Sequence, residues 1–339
     1  MKPQIHALIL AAGKGTRMKS ELPKVVHPIL GKPMVSYVIE AVKAVGSVKT
    51  ILVTGYKSDL VRQTLGNTEV EYVEQAEQLG TGHAVQCYVN SNPEKPDHLL
   101  VVCGDTPLIS TETLQEMIEL HLSQKPAITM MTLEMKDPGN YGRILRDEKG
   151  IKAVREAKDC TAEELKIKEV NLAVYIFESR FLFDNIFKLN SKNKQNEYYL
   201  TDLIEMAYQQ GLSVLACKEK DETSTLGINS RQHLALVNGI LQKKILEKHM
   251  ENGVTIVDPS QTLIGPDCLI ASDTTIWPGT LIEGSCIIGS NCEIGPNCHI
   301  SNAKLGNNCR LQFCVIENAE LESNSYIKPF STIRSGADH

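Results

Sequence analysis

Four basic side chains, Lys14, Arg17, Lys19 and Lys24, fall within the twelve residues after Ala12, together with Gly13, Gly15 and Pro23. One acid, Glu21, opposes them, and the apolar run "ALILAA" leads straight into them. Backbone amides that glycine allows to turn inward, joined by Lys14, Arg17 and Lys24, are suited to cradling a polyphosphate. The spacing matches neither generic phosphate motif. A Walker loop needs GxxxxGK[ST], and the dinucleotide fingerprint needs a third glycine where Met18 stands. Taken alone, "GKG" reads better as an ordinary strand–helix loop with solvated bases.

A second chemical group stands in "VVCGDTPLI". Asp105 lies just past a β-branched-rich run, on the sheet edge expected to carry the glycine loop. A carboxylate there, close to a triphosphate, suits Mg²⁺, which takes one or two carboxylates plus phosphate oxygens. An aspartate that merely forms a turn ahead of Pro107 is an equal alternative in isolation.

The elements that must position these groups follow from periodicity. "IHALIL", "KTILVTGY", "LLVVCGD" and "AITMMTL" read as buried strands. "MVSYVIEAVKAVG" and "TETLQEMIELHLS" carry apolar residues at helical spacing, with Thr111 the expected N-cap of the second and Gly46 the stop of the first. This alternation implies an α/β, doubly wound, mostly parallel sheet over residues 1–229, binding ligands beyond the carboxyl ends of its strands. Residues 230–252 read as one connector helix with the stripe Leu234, Val237, Leu241 and Ile245. From 253 to 339 the period becomes six, with isoleucine at 264, 270, 276, 282, 288, 294 and 300, which is the signature of a β-helix of hexapeptide repeats. Beyond Ile300 the spacing mixes steps of five and six, through Leu305, Leu311, Ile316, Leu321, Ile327 and Ile333. On this pattern the prism is expected to stop at His339 after about four and a half turns.

The chain has 339 residues and a formal net charge of −6, which argues against a general nucleic-acid or anionic-membrane binder. No apolar run reaches the ~18 residues of a membrane span. The start "MKPQIHALILAAG" imitates a signal peptide, but its apolar part is only strand-length, so a cytoplasmic protein is expected. Residues 253–339 hold nine acids and four bases, leaving 31 bases against 32 acids before them, so the basic cluster is local. The ten cysteines include no CxxC pair. Cys286, Cys292 and Cys298 follow the hexad period and are expected to be packing atoms.

The segments "LAAGKGTRMKSELPKVVHPILGKPM", "EQLGTGHAV", "GDTPLI", "NYGRI", "EVN" and "NEYYLTDLI" occur in this order. In them, and in the hexapeptide tail, the chain resembles the bacterial bifunctional N-acetylglucosamine-1-phosphate uridylyltransferase/glucosamine-1-phosphate acetyltransferase family. The resemblance implies a Rossmann-like nucleotidyltransferase domain followed by a left-handed parallel β-helix that assembles as a homotrimer. It also implies Mg²⁺-dependent uridylyl transfer from UTP to N-acetylglucosamine 1-phosphate, giving the cell-wall and lipopolysaccharide precursor UDP-N-acetylglucosamine. Carried over, it places Leu10, Ala11, Ala12 and Gly13 against the nucleotide and Arg17 and Lys24 on the phosphates as the catalytic cations. Gln75 reads the uracil edge, with Gly80 and Thr81 closing over the base. Gly104 and Asp105 approach the ribose and metal, and Asn229 is the second metal ligand. Gly142, Glu156 and Asn171 bind the sugar, and Tyr199 and Thr201 lie near its phosphate.

Each residue has a plainer alternative: a strand-end acid for Glu156, turn formers for Asn171 and Asn229, a helix cap for Thr201. Leu172 and Ala173 replace the family's usual Thr/Ser and Gly, which is expected to alter the sugar pocket, and Leu226 replaces a common acid near Asn229. The family's further coils, with the acetyl-transfer histidine, are expected to be missing, leaving the acetyltransferase part truncated and inactive. A non-catalytic sugar-nucleotide-binding or assembly subunit, and a nucleotidyltransferase for another sugar 1-phosphate, are the alternatives.

Overall fold

The computed structural model describes residues 3–224 and 226–334. They form two compact units: residues 3–27 with 33–233, and residues 28–32 with 234–334. The first unit is built on strands β1 (Ile5–Leu10), β2 (Lys49–Thr54), β3 (Glu71–Glu74), β4 (His98–Cys103), β5 (Ile128–Glu134), β6 (Arg143–Asp147), β7 (Gly150–Arg155), β8 (Glu169–Glu178) and β9 (Val214–Lys218). Its helices are α1 (Met34–Ala44), α2 (Ser58–Leu65), α3 (Thr81–Asn90), α4 (Thr111–Gln124), α5 (Ser179–Asn185) and α6 (Asp202–Gln209); α7 (Arg231–Glu251) lies in the second unit from Leu234 onward.

The sheet runs β9–β5–β8–β4–β1–β2–β3, and β6 joins β8 and β7 at its side. Leu10 pairs in parallel with both Val53 of β2 and Cys103 of β4, so the three carboxyl ends stand side by side. That alignment is why the loop after β1 and the turn after β4 share one edge. Side chains alternate across β1: Ala7 and Ile9 pack with Val35 and Val38 of α1 on one face. Leu8 packs with Val85 and Tyr88 of α3 on the other. A strand covered on both faces carries an unbroken apolar run, which is what the sequence shows at 5–10.

One strand departs from the parallel reading. β8 runs antiparallel to both β4 and β5, pairing Tyr175 with Val101 and with Met130. Reversal brings the start of β8, with Asn171, to the edge where the parallel strands end. The pairing slips between Asn171 and Tyr175, and Ala173 sits there at φ +55°. Glycine adopts this left-handed conformation without strain; alanine does so at a steric cost. Leu172 is buried in the hydrophobic core beside Val170 and Val174.

The cap of α4 also differs from expectation. The Ser110 hydroxyl, rather than Thr111, accepts from Thr113 N at 3.2 Å. Gly46, at φ +81°, follows α1 as expected. On α7 the fully buried apolar positions are Val237 and Leu246, while Leu234, Leu241 and Ile245 are only half-buried.

In the second unit short parallel strands stack into three sheets. Ile256, Ile276, Ile294, Leu311 and Ile327 form one interior ladder, and Ile264, Ile282, Ile300, Ile316 and Ile333 another. The third ladder is Ile270, Ile288, Leu305 and Leu321. Each coil covers its neighbour's apolar layer, so burial, at roughly 1.5–3 kcal/mol per enclosed Ile or Leu, is repeated along the stack. Cys268, Cys286, Cys292, Cys298, Cys309 and Cys314 are buried and unpaired, filling this interior as small apolar groups. Asn291, Asn297, Asn302 and Asn308 take positive φ, a conformation that asparagine tolerates better than most residues.

Candidate nucleotide and sugar site

The loop after β1 is shaped by one glycine rather than two. Gly15 has φ +65°, and a Cβ there would come within 2.6 Å of the Lys24 Cβ, whereas Gly13 faces open space with an ordinary φ. Lys14 does not join the cationic cluster: its ammonium lies 5.2 Å from the centre of the Tyr56 ring.

The two remaining cations converge on the oxygens singled out in the sequence. Lys24 Nζ donates to Asp105 Oδ2 and, at 3.2 Å, to Asn229 Oδ1. Arg17 Nη2 donates to the same Asn229 oxygen at 2.9 Å. The backbone holds this arrangement, since Ile228 N donates to the Asp105 carbonyl at 2.9 Å and Gly104 N to the Leu10 carbonyl at 2.9 Å. With Leu226 standing where the family commonly has an acid, Asn229 is still held through the bond of its neighbour Ile228 to Asp105. A carboxylate and a carboxamide oxygen sharing one ammonium are hard donors that fit Mg²⁺, which takes few carboxylates and completes its shell with phosphate and water. Among the described residues no group of three His, Cys, Asp or Glu could hold a metal, so such an ion would need the substrate's oxygens.

Beside this cluster a cleft of about 250 Å³ is lined by Leu10, Ala11, Ala12, Gly13, Lys24, Gln75, Gln78, Gly80, Thr81, Cys103, Asp105 and Glu197. Gln75 follows β3, and its N–H donates to Thr54 O at 2.7 Å. Its carboxamide Nε2 donates to Gly80 O at 3.0 Å. Gly80 has φ +109°, and a Cβ would lie 2.6 Å from the Tyr198 carbonyl, so only glycine fits. The Thr81 hydroxyl accepts from Leu200 N at 3.2 Å, tying the start of α3 to the "NEYYLTD" segment.

The expected sugar residues form a second group. Asn171 N donates to Gly142 O at 2.9 Å, and a Cβ on Gly142 would stand 3.5 Å from Glu156 Oε1. The Thr201 hydroxyl reaches Glu156 Oε1 at 3.5 Å, a long contact, and makes no helix-capping bond. Asn171 donates to the Tyr175 hydroxyl at 2.7 Å and accepts from Ala173 N at 3.1 Å, so it also performs the turn-forming role. Burial raises the Glu156 carboxyl above its usual range. Tyr199 stands apart. Its hydroxyl faces Asp159 at 3.2 Å and Gln195 at 2.8 Å, in a separate cleft of about 520 Å³ that Glu156 also lines.

Sequence reasoning passed over Gly55, His83 and Gln78. A Cβ on Gly55 would meet Gln75 O at 2.8 Å and Ala12 O at 2.9 Å, and its one signal was a glycine directly after a strand. Gln78 donates to Gln75 O at 3.1 Å, and His83 contacts the Gln75 amide; both lay within the motif "EQLGTGHAV".

Two stretches of the chain match known protein families. Residues 7–167 match the MobA-like NTP transferase domain, and residues 262–302 match the bacterial transferase hexapeptide (six repeats). The chain is 42% identical over 335 residues to the bifunctional protein GlmU of Pelobacter propionicus, covering 98% of this chain and 73% of that protein. The chain belongs to the GlmU family. Its identity to GlmU of Fervidobacterium nodosum is 45% over 332 residues, covering 98% of this chain and 72% of the relative. A crystal structure of UDP-glucose pyrophosphorylase complexed with UDP-glucose shares the fold, with a TM-score of 0.57, 21% identity, and 71% of this chain and 99% of that chain covered. The chain is therefore a sugar-1-phosphate nucleotidyltransferase with a hexapeptide-repeat β-helix. These matches lend no support to the expected truncation of the acetyltransferase part, because the hexapeptide match is present and nearly three-quarters of each relative is spanned. Among the described residues no helix is long and apolar enough to cross a membrane.

Proposed function

We propose that this member of the family transfers a uridylyl group from UTP to N-acetylglucosamine 1-phosphate, releasing pyrophosphate. The observation that carries the reading is the meeting of Arg17 and Lys24 with Asp105 and Asn229 beside the Gln75 cleft. The attacking phosphate oxygen is already anionic, so no general base is required. The barrier lies in bringing two anions together and stabilising charge around the α-phosphorus, which makes catalysis a matter of position and electrostatics.

In this reading the amides of residues 11–13 and the Lys24 ammonium hold the triphosphate, and Arg17 neutralises the departing pyrophosphate. Mg²⁺, held by Asp105 and Asn229, would supply further neutralisation of phosphate charge. Gln75 contacts the base, Gly80 and Thr81 close over it, and Gly104 lies against the ribose. Gly142, Glu156 and Asn171 take the sugar hydroxyls and N-acetyl group. Thr201 lies near the sugar phosphate; Tyr199 would have to turn from Asp159 to join it. A homotrimer through the prism belongs to the same reading, supported by the outward apolar side chains Leu263, Leu269 and Ile287. Light scattering giving the mass of three chains is its check.

The decisive experiment is pyrophosphate release measured over a matrix of nucleoside triphosphates and sugar 1-phosphates. Turnover is expected with UTP, N-acetylglucosamine 1-phosphate and Mg²⁺. Binding without turnover would favour a non-catalytic subunit, and preference for another sugar would redirect the substrate assignment.

A further inference from the structure

Both N–H groups of the Gln75 carboxamide are committed within the protein. Nε2 lies 3.0 Å from the Gly80 carbonyl oxygen and 3.1 Å from His83 Nδ1. The Gly80 carbonyl can only accept, so the amide must present nitrogen to it, and the amide orientation follows. With nitrogen there, His83 Nδ1 must carry the lone pair, and the imidazole proton sits on Nε2. That nitrogen faces Cys87 Sγ at 3.8 Å, one turn along α3. The remaining amide atom, Oε1, has no hydrogen-bond partner among the described residues, on a side chain that lines the cleft.

We propose that His83 is a positioning residue that sets base specificity, by holding the second Gln75 N–H so that the Gln75 amide offers the cleft only its acceptor oxygen. An acceptor set against ring position 3 favours a pyrimidine that donates there, as uracil does and as cytosine, whose donor is its N4 amine, does not. Cytosine carries a lone pair at N3, and two facing acceptors leave a buried polar group unpaired, a defect that discriminates strongly. Without His83, the Gly80 carbonyl alone restrains an amide torsion that is intrinsically broad, and the released N–H can turn toward cytosine N3. The proposal rests on the reading of Gln75 as the base contact.

The test compares kcat/KM for UTP and CTP in the wild type and in His83→Leu, His83→Asn and Gln75→Ala. In His83→Leu the UTP:CTP ratio should fall at least about tenfold, through loss with UTP and gain with CTP. His83→Asn places its Oδ1 near the former Nδ1 and should keep the ratio within about threefold of wild type, because the acceptor is restored. His83→Phe gives the same readout as Leu should the smaller side chain compromise folding. A wild-type ratio in His83→Leu or His83→Phe, or equal loss with both nucleotides, overturns the proposal. If Gln75→Ala collapses the ratio while His83→Leu does not, the His83 role alone fails. If Gln75→Ala also leaves it unchanged, the base-contact reading fails with it.

Discussion

Lys24 occupies the place between two oxygens where a divalent cation would have to enter, and Lys24→Met tests that competition directly. The ammonium bridges Asp105 Oδ2 and Asn229 Oδ1, with side chains only 14% and 18% exposed for Lys24 and Asp105. A hydrogen bond to a charged group is worth about 1.5–3 kcal/mol net, and an entering metal must first break this one. Each 1.4 kcal/mol is a factor of about ten, so Lys24 should weaken metal binding to the nucleotide-free protein by roughly ten- to hundredfold. Removing it leaves a carboxylate and a carboxamide oxygen converging, with Arg17 on the carboxamide oxygen alone. Mn²⁺, followed by loss of its free-ion resonance signal, should therefore bind Lys24→Met more tightly than wild type in the absence of UTP. The same ion should raise the melting temperature of the variant more than that of the wild type. With UTP present, Lys24 can move to the phosphates, and the wild type should recover its metal affinity. Arg17 already donates to Asn229 and could swing in to replace the lost ammonium, so the double change with Arg17→Ala removes that escape. Equal Mn²⁺ dissociation constants for the wild type, the single variant and the double variant would refute the competition.

Arg17→Ala should lower kcat by about 10²–10³, or about 2.7–4 kcal/mol, while weakening UTP binding far less, because its charge is needed most as pyrophosphate leaves. A variant within about tenfold of wild type in steady-state kinetics would return Arg17 to the role of a solvated base. Away from the site, His121 is buried, with Nδ1 2.8 Å from Thr129 Oγ1 and Nε2 3.1 Å from His98 Nδ1. Burial, then repulsion from His98, pushes the His121 pKa down to about 3, and burial also lowers that of His98. The unfolded chain takes up these protons at higher pH than the folded one, so their contribution is complete above about pH 6.5. For His121 it should fall as pH drops from about 6.5 toward 3, by at most about 1.4 kcal/mol per pH unit, and for His98 it falls in the same direction. Urea midpoints at pH 7.5 and 5.5 check it, and a slope unchanged by His121→Gln would show that other groups control the acid limb.

Much of this protein is written locally in its sequence. The hexad isoleucines determine the prism, because a strand of two or three residues can bury its apolar side chain only against the next coil, whatever else the chain does. The run at 5–10 determines a strand covered on both faces, and Gly15 and Gly80 mark backbone conformations that side chains resist. The shift in ladder spacing after Ile300 was legible for the same reason: losing a residue from a coil leaves the inward side chain in place. Tertiary structure alone decided the encounters between distant segments. Lys24 meets Asp105 across 81 residues and Arg17 meets Asn229 across 212, and no periodicity encodes which turn at a sheet edge faces which. Strand reversal is equally silent. β8 reads as an apolar run in either direction, and only its pairing with β4 and β5 brings Asn171 to the edge where the loop after β1 begins. The state of the Gln75 amide is the finest case. Residue type supplies a donor and an acceptor, but the folded positions of the Gly80 carbonyl and His83 Nδ1 decide which of the two is left for a ligand.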